Sequence, residues 1–203
     1  MMKRFLAILV LGLLFYNVSF SDAKSDECFA IEDMCIGDSL LQFYDEEEIK
    51  KNIVNWYDHI NDKTFKTTAL KEDSFKFYEY VDINFKANDK NYKIYSINGV
   101  LYFGVDSEIK DINECYVKQK EVAKELSLIF KNSKKIGPIT SKHNMDPSGE
   151  STYTDIVFLL DAAGTQAGVS CYDYADHITK ERGSIDFFSV SMRTKEFDEW
   201  LGN

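Results

Sequence analysis

The sequence is poor in the residues that mark fibrous and low-complexity chains. It has only 2 prolines and 10 glycines among 203 residues, which excludes collagen-like and Pro/Gly-rich classes. With 44% hydrophobic and 14% aromatic residues, it is not a disordered chain either. Basic residues are scarce, 24 against 34 acidic residues, and the net charge is −10. Because nucleic-acid binding needs a basic surface, we predict a folded protein that does not bind nucleic acid.

Motifs of the common catalytic and metal sites are missing too. The sequence contains no G-x-S-x-G elbow, no phosphate-binding loop of the Walker type and no G-x-G-x-x-G. It also lacks a C-x-x-C pair, an H-E-x-x-H motif and the spacing of an EF-hand. We therefore predict no cofactor and no metal, and the sequence leans towards a protein that is not an enzyme.

The N-terminus has the layout of a secretory signal peptide. Lys3 and Arg4 precede an unbroken apolar run over residues 5–16, and the small residues Ser21 and Ala23 follow at the positions that a signal peptidase reads. The run is shorter than the roughly 20 residues that cross a bilayer. Signal cleavage is therefore the leading prediction, and a retained membrane anchor is the alternative.

Cleavage after Ala23 divides the chain into a signal peptide at residues 1–23 and a single α+β domain at residues 24–203. The mature protein is then exported, either to the periplasm or out of the cell, and keeps no stable membrane span. Its partner would be an envelope protein or a small ligand. The sequence does not indicate an oligomeric state.

Four cysteines, Cys28, Cys35, Cys115 and Cys171, lie in the mature part. An even number in an exported chain suggests disulfides, and four cysteines allow three pairings. Cys115 is on the apolar side of a predicted helix, and Cys171 is on the inward side of a predicted strand. A helix lying on a sheet would bring these two together, which favours Cys115–Cys171 and leaves Cys28–Cys35. Free buried thiols, or a redox or metal role, are the alternatives.

Capping signals and apolar periodicity predict the helices. Acidic residues 45–48 are massed where the helix dipole favours them, and Asp111 with Glu114 forms a capping box. We expect helices at residues 39–44, 45–60 and 111–131, and a last helical turn at residues 195–201.

Alternation of apolar and polar residues predicts six strands. They cover residues 75–86, 92–97, 100–105, 153–161, 167–174 and 185–193. Asn98-Gly99 indicates a type I′ hairpin, and the polar residues 132–150 indicate a surface loop. The element order is therefore α-βββ-α-βββ. It predicts an α+β fold, an antiparallel sheet with helices on one face.

Few residues stand out as catalytic candidates. Glu79 shares a strand face with Phe77 and Val81, and a carboxylate buried there would have a raised pKa and could act as an acid. The alternative is an edge position or a β-bulge that turns Glu79 outward. His177 could combine with Asp173, although a surface histidine is the simpler interpretation.

Tyrosines are dense in the strands of the first half, and Tyr78, Tyr80, Tyr95 and Tyr102 are candidate binding residues. Tyrosine is amphipathic and common at interfaces. The competing interpretation is that these side chains are good strand formers that pack across neighbouring strands.

The stretch I-G-D-S-L-L-x-F-Y-x-E-E-E-I at residues 36–49 resembles a box in uncharacterised small exported bacterial proteins. Residues 114–130, 170–174 and 193–197 resemble the same group, so the resemblance covers most of the mature chain. It implies export but brings no known activity, and no catalytic residue is carried over. In element order alone, the chain is similar to α+β modules of the bacterial envelope that bind other proteins.

The leading hypothesis is therefore an exported, non-enzymatic domain that binds a protein or a ligand through its sheet or loops. The alternative is an envelope hydrolase with a dispersed Asp/Glu/His site that uses Glu79 or the pair of Asp173 and His177. An aromatic face remote from acidic groups would favour binding. A deep cleft with two converging acids or a His–Asp pair would favour the hydrolase.

Overall fold

The computed structural model describes residues 28–104 and 109–202, and the predicted signal peptide lies outside them. The described strands are β1 (Ile53–Val54), β2 (Phe65–Leu70), β3 (Tyr80–Lys86), β4 (Ser96–Tyr102), β5 (Lys134–Lys142), β6 (Thr152–Leu159), β7 (Gln166–Asp173) and β8 (Phe187–Arg193). The described α-helices are α1 (Glu46–Lys51), α2 (Ile112–Ile129), α3 (Asp176–Arg182) and α4 (Lys195–Leu201), and a 3-10 turn covers Leu40–Gln42.

The described strands form one antiparallel sheet in the order β1-β2-β3-β4-β8-β7-β6-β5. The two halves of the chain meet at its centre, where β4 pairs with β8 along its full length. This architecture confirms the predicted α+β class. The C-terminal half contains its three predicted strands and adds the edge strand β5. In the N-terminal half, β1 and β2 are additional strands, and the strands predicted at residues 92–97 and 100–105 are one continuous strand, β4.

One face of the sheet, the apolar face, carries the main core. Its buried strand residues include Val81, Ile83, Ile97, Val169, Phe188 and Val190. Helix α2 packs on β7 and β8, and Leu40 and Ile49 extend the same core. Gln119 of α2 is buried as well, and its Nε2 donates to the carbonyl oxygens of Thr154 (2.6 Å) and Val169 (2.8 Å). The polar side chain that α2 inserts into this core is therefore paired.

A disulfide fixes α2 to the sheet. Cys115 of α2 is joined to Cys171 of β7, and Cys28 is joined to Cys35 near the N-terminal end of the described chain. This is the pairing that the predicted helix and strand faces favour. In the chain-entropy model, the 56-residue separation of the first pair stabilises the fold by about 4 kcal/mol, against about 2.5 kcal/mol for the short loop.

The predicted hairpin at Asn98-Gly99 is wrong, because both residues lie inside β4. Gly99 pairs with Val81 on one side and Val190 on the other. The Tyr78 ring lies directly over Gly99, where an added Cβ would come within 2.6 Å of ring carbons. Glycine is therefore needed here for a close ring-to-backbone contact within a strand, and not for a turn.

Strand pairing corrects two further predictions. The helix predicted at residues 45–60 ends at Lys51, because Ile53–Val54 pairs with β2. The loop predicted at residues 132–150 contains β5, an edge strand whose side chains are mostly exposed. An edge strand without a buried face lacks apolar alternation, so its sequence resembles that of a loop.

Helix α4 lies on the opposite side of the sheet from α2. Its Phe197 and Trp200 pack against Phe65 of β2, with ring centroids 5.2 and 5.3 Å away, and against Ile60. The indole Nε1 of Trp200 donates to the carbonyl oxygen of Asp62 at 2.9 Å. The helices α1 and α2 thus share the apolar face, and α4 covers one end of the other face. Within the described residues, no helix is long and apolar enough to cross a membrane.

Candidate functional site on the polar face of the sheet

The face opposite α2 has a buried polar centre. This polar face consists of Thr67, Asp82, Asn84, Asn98, Asp155, Ser170, Ser189 and Ser191 on β2, β3, β4, β6, β7 and β8. An antiparallel sheet commonly presents its second face to water. Here Asp82 is only 7% exposed and Ser189 only 3%. Other parts of the chain therefore cover these polar side chains.

One border of the polar face is an aromatic row that crosses five strands. It consists of Tyr80, Tyr102, Phe187, Tyr172 and Tyr153, from β3, β4, β8, β7 and β6. Successive ring centroids are 5.4, 6.2, 4.1 and 5.7 Å apart. The row arises because neighbouring strands bring opposite side chains together on one face.

The other border is formed by Tyr57, which follows β1, and by the rings of α4. The Tyr57 ring lies 5.5 Å from Trp200 and 6.2 Å from Phe197. Burial raises the pKa of the Tyr57 phenol to about 12, and the nearby Asp82 carboxylate adds to the rise. Tyr57 is therefore held by aromatic packing, close enough to Asp82 and to Tyr172 of the aromatic row to interact with both electrostatically.

Three buried acceptor oxygens of the polar face have no hydrogen-bond partner among the described residues: Asp82 Oδ1, Asn98 Oδ1 and Asp155 Oδ1. One long hydrogen bond connects two of these side chains, since Asn98 Nδ2 donates to Asp82 Oδ2 at 3.4 Å. A buried acceptor left unpaired costs about 1–3 kcal/mol, and nearly all buried polar groups in proteins are paired. Three unpaired acceptors on one face indicate a place for a ligand or for ordered water.

Burial also opposes ionisation of both carboxyl groups. It raises the pKa of Asp82 to about 7, although the hydrogen bond from Asn98 partly offsets the rise. It raises the pKa of Asp155 as well, against the hydrogen bond from Ser170 and the positive charge of Arg193. A group that donates hydrogen bonds or carries positive charge would relieve both carboxylates.

Cations at the edge of the polar face are engaged with other acidic groups. Arg193 Nε lies 2.9 Å from Asp198 Oδ1, and Arg193 Nη2 donates to Gln166 Oε1 at 3.3 Å. Lys86 Nζ lies 2.6 Å from Glu196 Oε1 of α4. The protein thus pairs these two cationic side chains with acidic residues of α4, while the charge of Arg193 still partly offsets the rise in the pKa of Asp155.

The structure separates the four tyrosines that the sequence singles out. Tyr80 and Tyr102 belong to the aromatic row. Tyr78 lies against β4 on the apolar face, where burial raises the pKa of its phenol. Tyr95 packs against Phe65, with ring centroids 5.3 Å apart. Two of the four therefore belong to the aromatic row, Tyr95 packs in the cluster around Phe65 and α4, and Tyr78 lies on the apolar face.

The candidate catalytic residues lie away from the polar centre. Glu79 is exposed immediately before β3. Asp173, at the end of β7, is half-buried, and this burial raises the pKa of its carboxyl group. Among the described residues, His177 faces loop carboxylates and not Asp173: its Nε2 is 3.4 Å from Asp146 Oδ1, and its Nδ1 is 3.7 Å from Glu150 Oε2. The structure does not bring the three candidates together.

The polar centre itself is missed by the sequence predictions. Asp82 alternates with buried Val81 and Ile83, which indicates a side chain that faces solvent. Asn98 is assigned to a turn, and Asp155 to an ordinary strand position. One signal could have found them. The polar sides of the central strands carry short Asp, Asn and Ser side chains, whereas exposed β5 carries lysines at both ends.

Known proteins supply no function for this chain: no family model, curated protein or solved structure matches it. Within the part of the chain that the structure describes, no group of three or more His, Cys, Asp and Glu side chains is arranged to hold a metal ion. Function has to be inferred from the chemistry of the polar face.

Proposed function

We propose that this protein binds a small molecule with hydrogen-bond donors on the polar face of its sheet. The observation that carries the proposal is the set of three buried, unpaired acceptor oxygens on Asp82, Asn98 and Asp155. Each unpaired oxygen lowers the stability of the fold, and a donor that binds to it would recover that stability. A ligand with donors therefore has a direct energetic reason to bind.

The surroundings of the three acceptors suit a small ligand. Between the two carboxylates the strands present the short residues Gly168, Ser170 and Ser189 on this face. The aromatic row offers flat apolar surfaces beside them, as ligand sites commonly do. A protein partner needs exposed groups, whereas Asp82 is only 7% exposed. A small ligand therefore fits this face better than a protein does.

We further propose that the protein works outside the cytoplasm, in the periplasm or after secretion. Its two disulfides are consistent with an oxidising compartment. The signal-peptide pattern of residues 1–23 points the same way. A ligand-binding protein in this location would meet small solutes of the cell envelope or of the medium.

An envelope hydrolase is the second candidate, and one observation favours it. Burial raises the pKa of the Asp82 carboxyl group to about 7, and a carboxyl group with such a pKa is suited to general acid catalysis near neutral pH. The role would fall to Asp82, and not to Glu79, Asp173 or His177. Conversion of a bound compound into product, lost in Asp82→Asn, would favour this candidate over simple binding.

The test is a thermal-shift screen of the mature protein with a library of polar metabolites that includes amines, amino acids and sugars. The screen compares the wild-type protein with Asp82→Asn and with Asp73→Asn, which removes an exposed carboxylate. We expect at least one compound to raise the melting temperature of the wild type and of Asp73→Asn, but not of Asp82→Asn. If no compound raises it, or if Asp82→Asn responds equally, the proposal is wrong.

A further inference from the structure

We infer that the Cys28–Cys35 disulfide is a redox switch: a dithiol opens it in the folded protein, and opening loosens the hold of Glu32 on the chain segment before β3. The inference does not rest on the proposed function of the polar face. It is carried by the different exposure of the two disulfides and by the hydrogen bonds of the loop that the shorter one closes.

The two disulfides differ in their access to solvent. Cys28 is exposed, and its partner Cys35 is 7% exposed. The disulfide between Cys115 and Cys171 is fully buried at both residues. A thiolate has to reach a disulfide sulfur in order to exchange with it, and exposed disulfides are the labile ones in proteins. The folded protein should therefore exchange Cys28–Cys35 alone, because the buried pair becomes accessible only on unfolding.

The exchange takes place in two balanced steps. A thiolate of the dithiol attacks Cys28 Sγ, the bond to Cys35 breaks, and Cys35 Sγ leaves with the electron pair and takes up a proton. The second thiolate of the dithiol then attacks the first sulfur atom of the dithiol in the mixed disulfide, and Cys28 leaves and is protonated in the same way. The dithiol is thus oxidised to a disulfide, and the cysteine pair gains two electrons and two protons. The reverse exchange with a small disulfide closes the pair again.

The loop that this disulfide closes contains a turn in an unfavourable backbone conformation. Ile31 and Met34 exchange two backbone hydrogen bonds of 3.0 Å. The two residues between them, Glu32 and Asp33, have φ angles of 47° and 66°. Positive φ at both central positions is typical of a type I′ turn, in which glycine and asparagine are preferred. Because residues with larger side chains rarely adopt this conformation, the turn needs support from elsewhere, and the disulfide supplies part of it.

The tip of this turn holds a segment that is distant in the sequence. Glu32 Oε1 accepts from the backbone N–H groups of Phe77 (2.8 Å) and Tyr78 (3.2 Å). Glu32 Oε2 accepts from the backbone N–H group of Lys76 at 2.9 Å. Asp33 Oδ2 adds an ion pair with Lys76 Nζ at 3.1 Å. Three consecutive N–H groups just before β3 thus depend on one carboxylate, and that carboxylate is positioned by the turn.

Opening the disulfide should loosen this contact without unfolding the core. Ile31 and Met34 are each 1% exposed, so burial keeps both ends of the turn in place and the tip is the part that gains freedom. Movement of the tip leaves the three N–H groups accessible to solvent. The tip also lines a surface cavity of about 720 Å³ together with Phe43, Tyr44 and Glu72. The shape of this cavity should therefore change with the redox state of the protein.

The experiment treats the folded mature protein with increasing concentrations of dithiothreitol, labels free thiols with a maleimide and locates the label by peptide mass spectrometry. Hydrogen exchange of the backbone amides is followed in the same samples. The variant Glu32→Ala removes the carboxylate that holds the segment and leaves the disulfide in place. Asp33→Ala is the matched control, because it removes a carboxylate from the same turn that is paired with a lysine side chain.

We expect label on the Cys28–Cys35 pair at dithiothreitol concentrations that leave the Cys115–Cys171 pair unlabelled. In the reduced protein, the amides of residues 76–78 should exchange at least tenfold faster, while the amides of α2 keep their protection. Glu32→Ala should show the same faster exchange with its disulfide intact, and Asp33→Ala should not. Replacing dithiothreitol by glutathione disulfide should restore both the disulfide and the slow exchange.

Several results would overturn the inference. It fails if all four cysteines become labelled together, because reduction would then follow unfolding, and it fails if none is labelled while the protein is folded. It also fails if the Cys28–Cys35 pair opens but residues 76–78 exchange as slowly as before, or if α2 loses its protection at the same time. The wild-type protein supplies each of these results, so a folding defect of Glu32→Ala cannot hide them.

Discussion

The two faces of the sheet bury their side chains in different ways. On the apolar face, buried polar groups are paired: Gln119 donates to two backbone carbonyls, and Thr68 Oγ1 donates to the carbonyl oxygen of Ile49. On the polar face, Asp82, Asn98 and Asp155 each keep a buried oxygen without a partner among the described residues. The same strands build both faces, so the difference lies in which alternate residues each strand presents.

The contrast indicates a division of roles within one sheet. The apolar face, fixed by the Cys115–Cys171 disulfide, supplies stability. The polar face lowers stability, because buried polar atoms without partners are costly. Such local conflicts in a folded protein concentrate at functional sites. Changes to the apolar face should therefore destabilise the protein, and neutralising the polar face should stabilise it while removing binding.

The largest expected loss on the apolar face follows removal of the Cys115–Cys171 disulfide. Replacing both cysteines by alanine should lower the free energy of unfolding by about 4 kcal/mol, because the unfolded chain regains the entropy of a long closed loop. Urea unfolding measures the change. The matched double variant of Cys28 and Cys35 should lose less, about 2.5 kcal/mol. Equal losses would mean that this disulfide has no special role in holding α2 on the sheet.

On the polar face, Asp82→Asn should instead raise the free energy of unfolding. Burial raises the pKa of Asp82 to about 7. Between about pH 4 and pH 7 the native carboxyl group therefore keeps a proton that the unfolded chain has lost, so wild-type stability falls as pH rises through this window. The variant lacks this fall and should be more stable than the wild type above pH 7, by at most about 4 kcal/mol.

Urea unfolding at about pH 4, 6 and 8 measures this difference between Asp82→Asn and the wild type. The extra free energy of unfolding of Asp82→Asn over the wild type should be near zero at the lowest pH and largest at the highest. Asp73→Asn, at an exposed position, serves as the control and should follow the wild-type profile. Parallel profiles for the wild type and Asp82→Asn would show that Asp82 is ionised at little cost, and the contrast between the two faces would weaken.

Gln119→Leu tests whether polar satisfaction matters on the apolar face. The leucine leaves the carbonyl oxygens of Thr154 and Val169 without their side-chain donor, inside a buried core. We expect a loss of about 3 kcal/mol, measured by urea unfolding. Lys120→Leu, on the exposed side of the same helix, should change stability little. A neutral effect of Gln119→Leu would mean that these carbonyls are satisfied without Gln119.

Gly99→Ala should lower the free energy of unfolding the least, and it tests the packing of Tyr78 on the apolar face. The new methyl group would come within 2.6 Å of the Tyr78 ring, so the ring has to move. We expect a loss of about 2 kcal/mol in thermal or urea unfolding. Gly104→Ala is the matched control, because nothing lies within 4 Å of its added Cβ. Equal effects of the two changes would argue against the close contact.

Much of the apolar face could be predicted from the sequence, because its signals are local. The capping box at Asp111 begins α2 in the structure, where the Asp111 side chain accepts from the backbone N–H groups of Asn113 and Glu114. The periodicity around Cys115 and Cys171 placed both on inward faces. Helix periodicity and strand alternation report burial against an apolar partner, and this is what the apolar face provides.

The polar face could not be predicted in the same way, because its burial depends on distant parts of the chain. Asp82 becomes a buried group through Tyr57 and through strands that follow it by many residues. The turn signal of Asn98-Gly99 was misleading for a related reason, since the contact between Tyr78 and Gly99 is tertiary. Local alternation distinguishes polar from apolar positions, but it does not show which polar positions are covered.

The most direct test of the account is a crystal structure of the mature protein at a resolution that shows ordered solvent, with and without the best compound from the metabolite screen. We expect water near the unpaired oxygens of Asp82, Asn98 and Asp155 in the free protein, and a bound molecule donating to them in the complex. If these oxygens instead accept hydrogen bonds from the protein, and the compound binds elsewhere, the polar face is not the binding site.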